Sequence, residues 1–236
     1  LAPEMAPEME TRVADRLAKI SKPIYYYQAT GEADLPEINE AATTLDANIK
    51  AIPNPTFKYQ NDTFQNASHY SLVTKAIPSA LYFIFDGYQP ISMLEFQKKI
   101  VTLDSGYTDY LVQKYDNLNT RLGLQMKPRL SDFKAIEAAI MKNKAYGEFQ
   151  TLANYANKNY PKTTLGTFHQ AMYYEKTGNY KKAIKEYQKS FSQEAIRELT
   201  KDFMLSRSEA LRDKPDSPID LPAEVPAEAP AETPTE

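Results

Sequence analysis

The sequence predicts an α/β unit followed by an all-α unit, on three observations. Two short β-rich runs near the amino end flank an apolar-periodic helix. From Pro90 onward only helical periodicity remains. Residues 213–236 then repeat proline and acid at a spacing of four, which neither a helix nor a strand sustains.

The elements follow in order. Ala2-Pro3-Glu4-Met5 recurs as Ala6-Pro7-Glu8-Met9, and Val13, Leu17 and Ile20 then mark a first helix. Ile24-Tyr25-Tyr26-Tyr27-Gln28-Ala29-Thr30 reads as a strand that stops at Gly31. The tyrosines suit a strand packed between helices better than an aromatic ligand platform. Asp34 stands just past this strand end, two residues before Pro36, where a helix N-cap would also sit. Ile38, Ala41, Ala42, Leu45 and Ile49 give the next helix its apolar face. Thr56-Phe57-Lys58-Tyr59-Gln60 reads as the second strand, and Asn61 to Ser68 as a polar loop that delivers His69 to the head of a further helix. Pro78 predicts a kink or a fresh start within that helix.

Beyond Pro90, Ser105 is placed to cap a helix whose face carries Tyr107, Tyr110, Leu111, Tyr115, Leu118 and Leu122. The expected organisation is an α/β unit at 1–90, connecting helices at 91–129, a helical repeat region at 130–212 and a low-complexity tail at 213–236. The repeat rests on Lys144-Ala145-Tyr146, Phe149, Ala153, Ala156 and Pro161, which correspond 34 residues later to Gly178-Asn179-Tyr180, Ala183, Tyr187, Ser190 and Ala195. One repeat is placed at 164–195, a degenerate one at 130–161, and a polar-backed capping helix between Ala195 and Leu211. The small-large-turn-small-aromatic-small run Ala171, Tyr174, Gly178, Tyr180, Ala183, Tyr187, Ser190 resembles the tetratricopeptide family. That resemblance implies paired antiparallel helices, and either a structural appendage or a surface for a protein partner. His169 is expected as a packing or surface residue, and Lys181, Lys182, Lys185 and Lys189 as a solvated face.

Composition excludes several classes. With no cysteine, a thiolate metal site, a disulfide and a cysteine nucleophile are impossible. The two histidines are far apart in sequence, so neither a metal centre nor a cofactor is expected. A net charge of −3 with no dense basic cluster argues against a nucleic-acid partner. The longest apolar stretch, Ala80 to Phe85, is far too short to span a bilayer. The tail should be extended, acidic and biased toward polyproline II, acting as a solvated spacer.

The order strand, acid, helix, strand, histidine, helix resembles the last third of an α/β-hydrolase of the putative-esterase group, which includes esterase D-like and enterochelin-esterase-like enzymes. Gly31-Glu32-Ala33-Asp34 is similar to that group's G-x-x-D acid loop. His69-Tyr70-Ser71, followed by Ile77, Ala80, Leu81, Phe83 and Phe85, is similar to its histidine loop and final helix. The resemblance covers roughly residues 1 to 90. It implies a Ser-His-Asp triad in which His69 is the general base and Asp34 orients it, with Glu32 as the alternate acid. Leu1-Ala2-Pro3-Glu4-Met5 is similar to the end of a Ser-Pro stretch that precedes the acid strand in this group.

None of the seven glycines stands in a G-x-S-x-G turn, so the nucleophile is expected upstream of Leu1, in the same polypeptide or in a second fragment. The resemblance implies a small-molecule ester as substrate and, more weakly, a periplasmic or extracellular setting. The competing expectation is a non-catalytic tetratricopeptide-type subunit of a larger assembly.

Overall fold

The structure, a computed structural model, describes residues 9–54 and 56–219. The chain divides into two compact units, Leu1–Gln89 and Pro90–Glu236. It is mostly helical, with one parallel two-stranded sheet among the described residues. The recurring Ala-Pro-Glu-Met segment up to Glu8, Pro55 and the greater part of the proline-acid tail lie outside the described residues.

In the first unit, α1 (Met9–Leu17) leads to β1 (Ile24–Gly31), α2 (Pro36–Lys50), β2 (Phe57–Phe64) and α3 (Leu72–Ile84). The strands pair in parallel with Ile24 opposite Phe57 and Gly31 opposite Phe64. A parallel pair needs a crossover, and α2 supplies it. The second strand is longer than its sequence predicts, running through Asn61 to Phe64. Cross-strand side chains hold this polar extension: the Tyr27 hydroxyl donates to Asp62 at 2.7 Å, and the Thr30 and Thr63 hydroxyls meet at 3.2 Å.

Three layers result. Ile38, Ala42, Leu45 and Ile49 form the buried stripe of α2, set at the helical spacing. With Met9, Leu17 and Phe57 they make the core on one face of the sheet, where Tyr26 stacks on Tyr59 and Gln28 donates to the Ala42 carbonyl. Burying one such leucine or isoleucine stabilises by about 1.5–3 kcal/mol. Phe83 of α3 packs against Tyr25 and Tyr27 on the opposite face. The sheet tyrosines are half-buried between these layers. Helix α3 runs unbroken across Pro78, so no fresh start occurs there, and none of its residues is fully buried.

The second unit holds α4 (Met93–Glu95), which continues as a π-helical turn at Phe96–Ile100, then α5 (Tyr107–Leu122), α6 (Leu130–Asn143), α7 (Glu148–Asn159), α8 (Thr164–Lys176), α9 (Tyr180–Lys189) and α10 (Lys201–Glu209). Ile100, Tyr107, Leu111 and Tyr115 share one core with Phe133, Phe149, Phe168, Tyr187 and Met204. The helices of 91–129 are therefore part of this unit's core and not only a connection. Buried Asp132 ties the segment in, accepting the Ile91 amide at 3.0 Å and the Tyr115 hydroxyl at 2.8 Å.

Two expectations are corrected here. Ser105 does not cap α5: Gly106 precedes the helix with φ +78°, and the carboxylate of Glu148 accepts the amides of Gly106 and Thr108, the latter at 3.1 Å. A carboxylate at a helix amino end meets both unpaired amides and the helix dipole, so a distant acid replaces the local serine. The tail, moreover, is not a free spacer from 213 onward. Ser217 and Ile219 donate their amides to Gly178 and Thr177, each at 2.9 Å, and Asp216 accepts the Lys181 amide at 3.0 Å.

Candidate active site

Asp34 and His69 come from different loops, each just past the carboxyl end of a strand. Because β1 and β2 are adjacent and parallel, both loops leave the same end of the sheet. There His69 Nδ1 lies 3.2 Å from Asp34 Oδ1, although the residues are 35 positions apart. The Asp34 side chain is 2% exposed, whereas the imidazole is 46% exposed. A carboxylate that accepts from Nδ1 leaves Nε2 as the ring nitrogen turned away from the acid. Among the described residues Nε2 has no hydrogen-bond partner.

Local structure explains each placement. Asp34 Oδ1 also accepts the Leu35 amide at 2.9 Å, which fixes the carboxylate beside its own backbone. Leu35 occupies the N-cap position of α2 and Pro36 starts the helix, so Asp34 is not the cap. His69 sits in a turn closed by Ser68 and Ser71: the Ser68 amide donates to Ser71 Oγ at 2.9 Å, and the Leu72 amide to the Ser68 carbonyl at 2.9 Å. Lys75 reaches back from α3 to the Gln65 carbonyl at 2.8 Å and steadies the approach.

Glu32, the alternate acid, has a different partner. Its Oε2 accepts the Asn66 amide at 3.2 Å, and the hydrogen bond of His69 Nδ1 goes to Asp34 instead. Asn66 adopts the left-handed conformation, φ +55°, which asparagine tolerates better than most residues.

A cleft of about 480 Å³ opens beside the pair. His69, Asp34 and Leu72 stand at one part of its lining, with Ile38, Ala42 and Leu45 of α2 and Met9 and Val13 of α1 as an apolar wall. Residues 26 to 30 of β1 line it without a gap. Consecutive strand residues point to opposite faces, so the cleft runs along the open edge of β1.

The tyrosines near the sheet serve structure. Burial, together with the bond to Asp62, pushes the Tyr27 phenol up to about 12. Burial also raises Tyr59, whose hydroxyl donates to Asp46 at 2.9 Å.

His169 belongs to the second unit and is a core residue, 1% exposed. Its ring stacks against Phe133 and Phe149 at 6.0 and 6.3 Å, and Nε2 lies 3.5 Å from Glu137. Among the described residues no group of three or more His, Cys, Asp or Glu side chains could hold a metal ion. No helix among them is long and apolar enough to cross a membrane.

No protein-family model matches the chain, and no curated protein matches it. The crystal structure of an uncharacterised protein from Capnocytophaga ochracea DSM 7271 is similar, with 31% sequence identity and a TM-score of 0.75. The match covers 87% of this chain and 58% of that one, so the chain spans less than two thirds of that protein's length.

Proposed function

We propose that residues 1–90 are the carboxyl-terminal part of a serine carboxylic-ester hydrolase and supply the acid and the histidine of its triad. The 3.2 Å contact between Asp34 and His69 carries this reading. Nδ1 faces the buried acid and Nε2 is open, which is the orientation a general base needs. Parallel adjacent strands, joined by a crossover helix and each followed by one of the two residues, support it further.

A serine from polypeptide outside these 236 residues attacks the ester carbonyl, and its proton passes to His69 Nε2. The tetrahedral intermediate collapses to an acyl-serine as His69 returns that proton to the leaving alcohol. Water then repeats the cycle and releases the acid. Asp34 keeps the proton on Nδ1 and stabilises the imidazolium form.

Open surfaces support a larger sheet. The Ile24 amide donates to Thr56 and the Glu32 amide to Phe64, so even-numbered residues of β1 turn their backbone groups toward β2. Tyr27 and Ala29 turn theirs to the opposite edge, which the cleft follows. Val73, Ile77 and Leu81 are exposed on α3 and Phe85 at its C-cap, an apolar face that further polypeptide would cover.

A serine-directed fluorophosphonate tests the assignment on the intact protein from its natural source. We expect one labelled serine between small residues, with labelling slowed at least a hundredfold in His69→Ala. An intact protein that neither labels nor hydrolyses short-chain esters would overturn it.

The second unit we read as a tetratricopeptide-like appendage, because α6 and α8 begin 34 positions apart, at Leu130 and Thr164. Deleting it from the intact hydrolase should leave turnover per folded molecule unchanged.

A further inference from the structure

We propose that Gly31 and Glu32 are positioning residues that lock the histidine loop onto the acid loop. The effect on turnover rests on the hydrolase reading. The geometry of the lock does not.

The two loops face each other almost residue by residue. Ala33 donates its amide to the Ala67 carbonyl at 3.0 Å, and Glu32 Oε2 accepts the Asn66 amide at 3.2 Å. Asp34 and His69 complete the series at 3.2 Å. Gly31 lies beneath it, against the backbone of Ala67. A Cβ at Gly31 would stand 3.0 Å from the Ala67 carbonyl carbon and closer still to its oxygen. Backbone on both sides leaves nothing flexible to give way, so any other residue pushes the loops apart.

Burial shows why this contact matters. Between Gln65 and Ser71, Ala67 is the one buried residue, with no exposed surface at all. His69, Tyr70 and Ser71 are exposed, so side-chain packing does little to hold the imidazole in place. Its position is set by the Ser68–Ser71 turn and by the lock to residues 31–33. Glu32 acts at a distance, through the Asn66 amide, and holds Asn66 in its left-handed turn.

The test uses 15N-histidine spectra of the intact protein, with the His69 signals assigned by their loss in His69→Ala. The wild type should show the Nδ1–H tautomer. Gly31→Ala and Glu32→Ala should both mix the tautomers and speed exchange of the Ala33 amide at least tenfold. Glu32→Gln keeps an acceptor oxygen but loses the charge, and should restore both signatures. In ester hydrolysis Gly31→Ala should lower kcat by on the order of a hundredfold with KM little changed, since a misplacement of about 1 Å is enough for that.

If Gly31→Ala does not fold, the Glu32 pair decides. Unchanged tautomer and exchange in Glu32→Ala, or the same loss in Glu32→Gln as in Glu32→Ala, would overturn the lock. Loosened tautomers in a protein without any esterase turnover would support the lock and remove the hydrolase reading instead.

Discussion

Ser217 donates its amide to the carbonyl oxygen of Gly178 at 2.9 Å, which pairs the segment after α10 with the turn between α8 and α9. Gly178 has φ +76°, and a Cβ there would run into the Ser217 carbonyl. One residue earlier, Asp216 caps the first turn of α9 through the Lys181 amide.

Truncation separates the two parts of the tail. Ending the chain after residue 219 should leave the thermal midpoint unchanged. Ending it after residue 212 removes one cap, three backbone bonds and the Lys214 ammonium over the Tyr180 ring, and should lower stability by about 1–2 kcal/mol, or about 2–8 °C for a unit of this size. Asp216→Ala alone should give the cap's share, about 1 kcal/mol. Equal midpoints for all of these would show that the contacts contribute nothing.

Much of this was legible in the sequence, and the reasons differ from element to element. Asp34 could be placed past a strand end because a β-rich run closing at Gly31 marks such an end locally, and His69 because a polar loop follows the second β-rich run. The stripe Ile38, Ala42, Leu45, Ile49 was legible from its period. What could not be read were choices settled by distant residues. Asn61 to Phe64 look like a loop, and become strand only because Tyr27 and Thr30 wait across the ladder. Glu148 outcompetes Ser105 at the head of α5 from 42 positions away. The polarity of Asp216 and Ser217 suggests solvent, whereas their hydrogen-bonding groups are used on Gly178 and Lys181. Glu32 is an acid in a suitable place, but only three dimensions show that its partner is an amide.

Acid should weaken the link between α4 and α5. Burial pushes the Glu95 carboxyl up, but hydrogen bonds from Lys114 at 2.9 Å and Tyr110 at 2.8 Å outweigh it and hold the group below its ordinary value of 4.5. A lowered folded value means that the stabilisation is fully present above the unfolded value and is lost as pH falls through the folded one. Glu95→Gln should therefore lower the midpoint at pH 7 by about 1 kcal/mol, or about 2–4 °C. At pH 3 the gap between wild type and variant should narrow. A gap independent of pH would assign the loss to packing.

The two histidines should separate by kind of defect. In the intact protein, His69→Ala should reduce turnover by on the order of 10⁴-fold or more, and Asp34→Asn by roughly 10⁴-fold through the wrong tautomer, with little effect on stability. His169→Ala opens a hole among Phe133, Phe149 and Phe168, so it should lower stability by about 1–3 kcal/mol and leave turnover per folded molecule intact. Small and equal losses of turnover in His69→Ala and His169→Ala would point to destabilisation alone.

The open edge of β1 gives the last prediction. Hydrogen bonds from Ile24 to Thr56 and from Glu32 to Phe64 set the parity of the strand. By that parity the amides of Tyr26 and Gln28 are in the ladder with β2, and those of Tyr27 and Ala29 point to the edge along which the cleft runs. Neighbouring amides of one strand thus differ only in having a partner, which makes their exchange rates a clean comparison. In residues 1–236 alone, Tyr27 and Ala29 should exchange at least tenfold faster than Tyr26 and Gln28. If residues 1–90 are part of a hydrolase sheet, as proposed, a further strand would enter the cleft in the intact protein, and the edge amides should then slow to the rate of their neighbours. An added strand must also find its donors and acceptors there, so Ala29→Pro should impair the intact protein far more than it impairs residues 1–236. Edge amides that stay fast in an intact, active enzyme would show that the sheet gains its other strands elsewhere and that the cleft is left to the substrate.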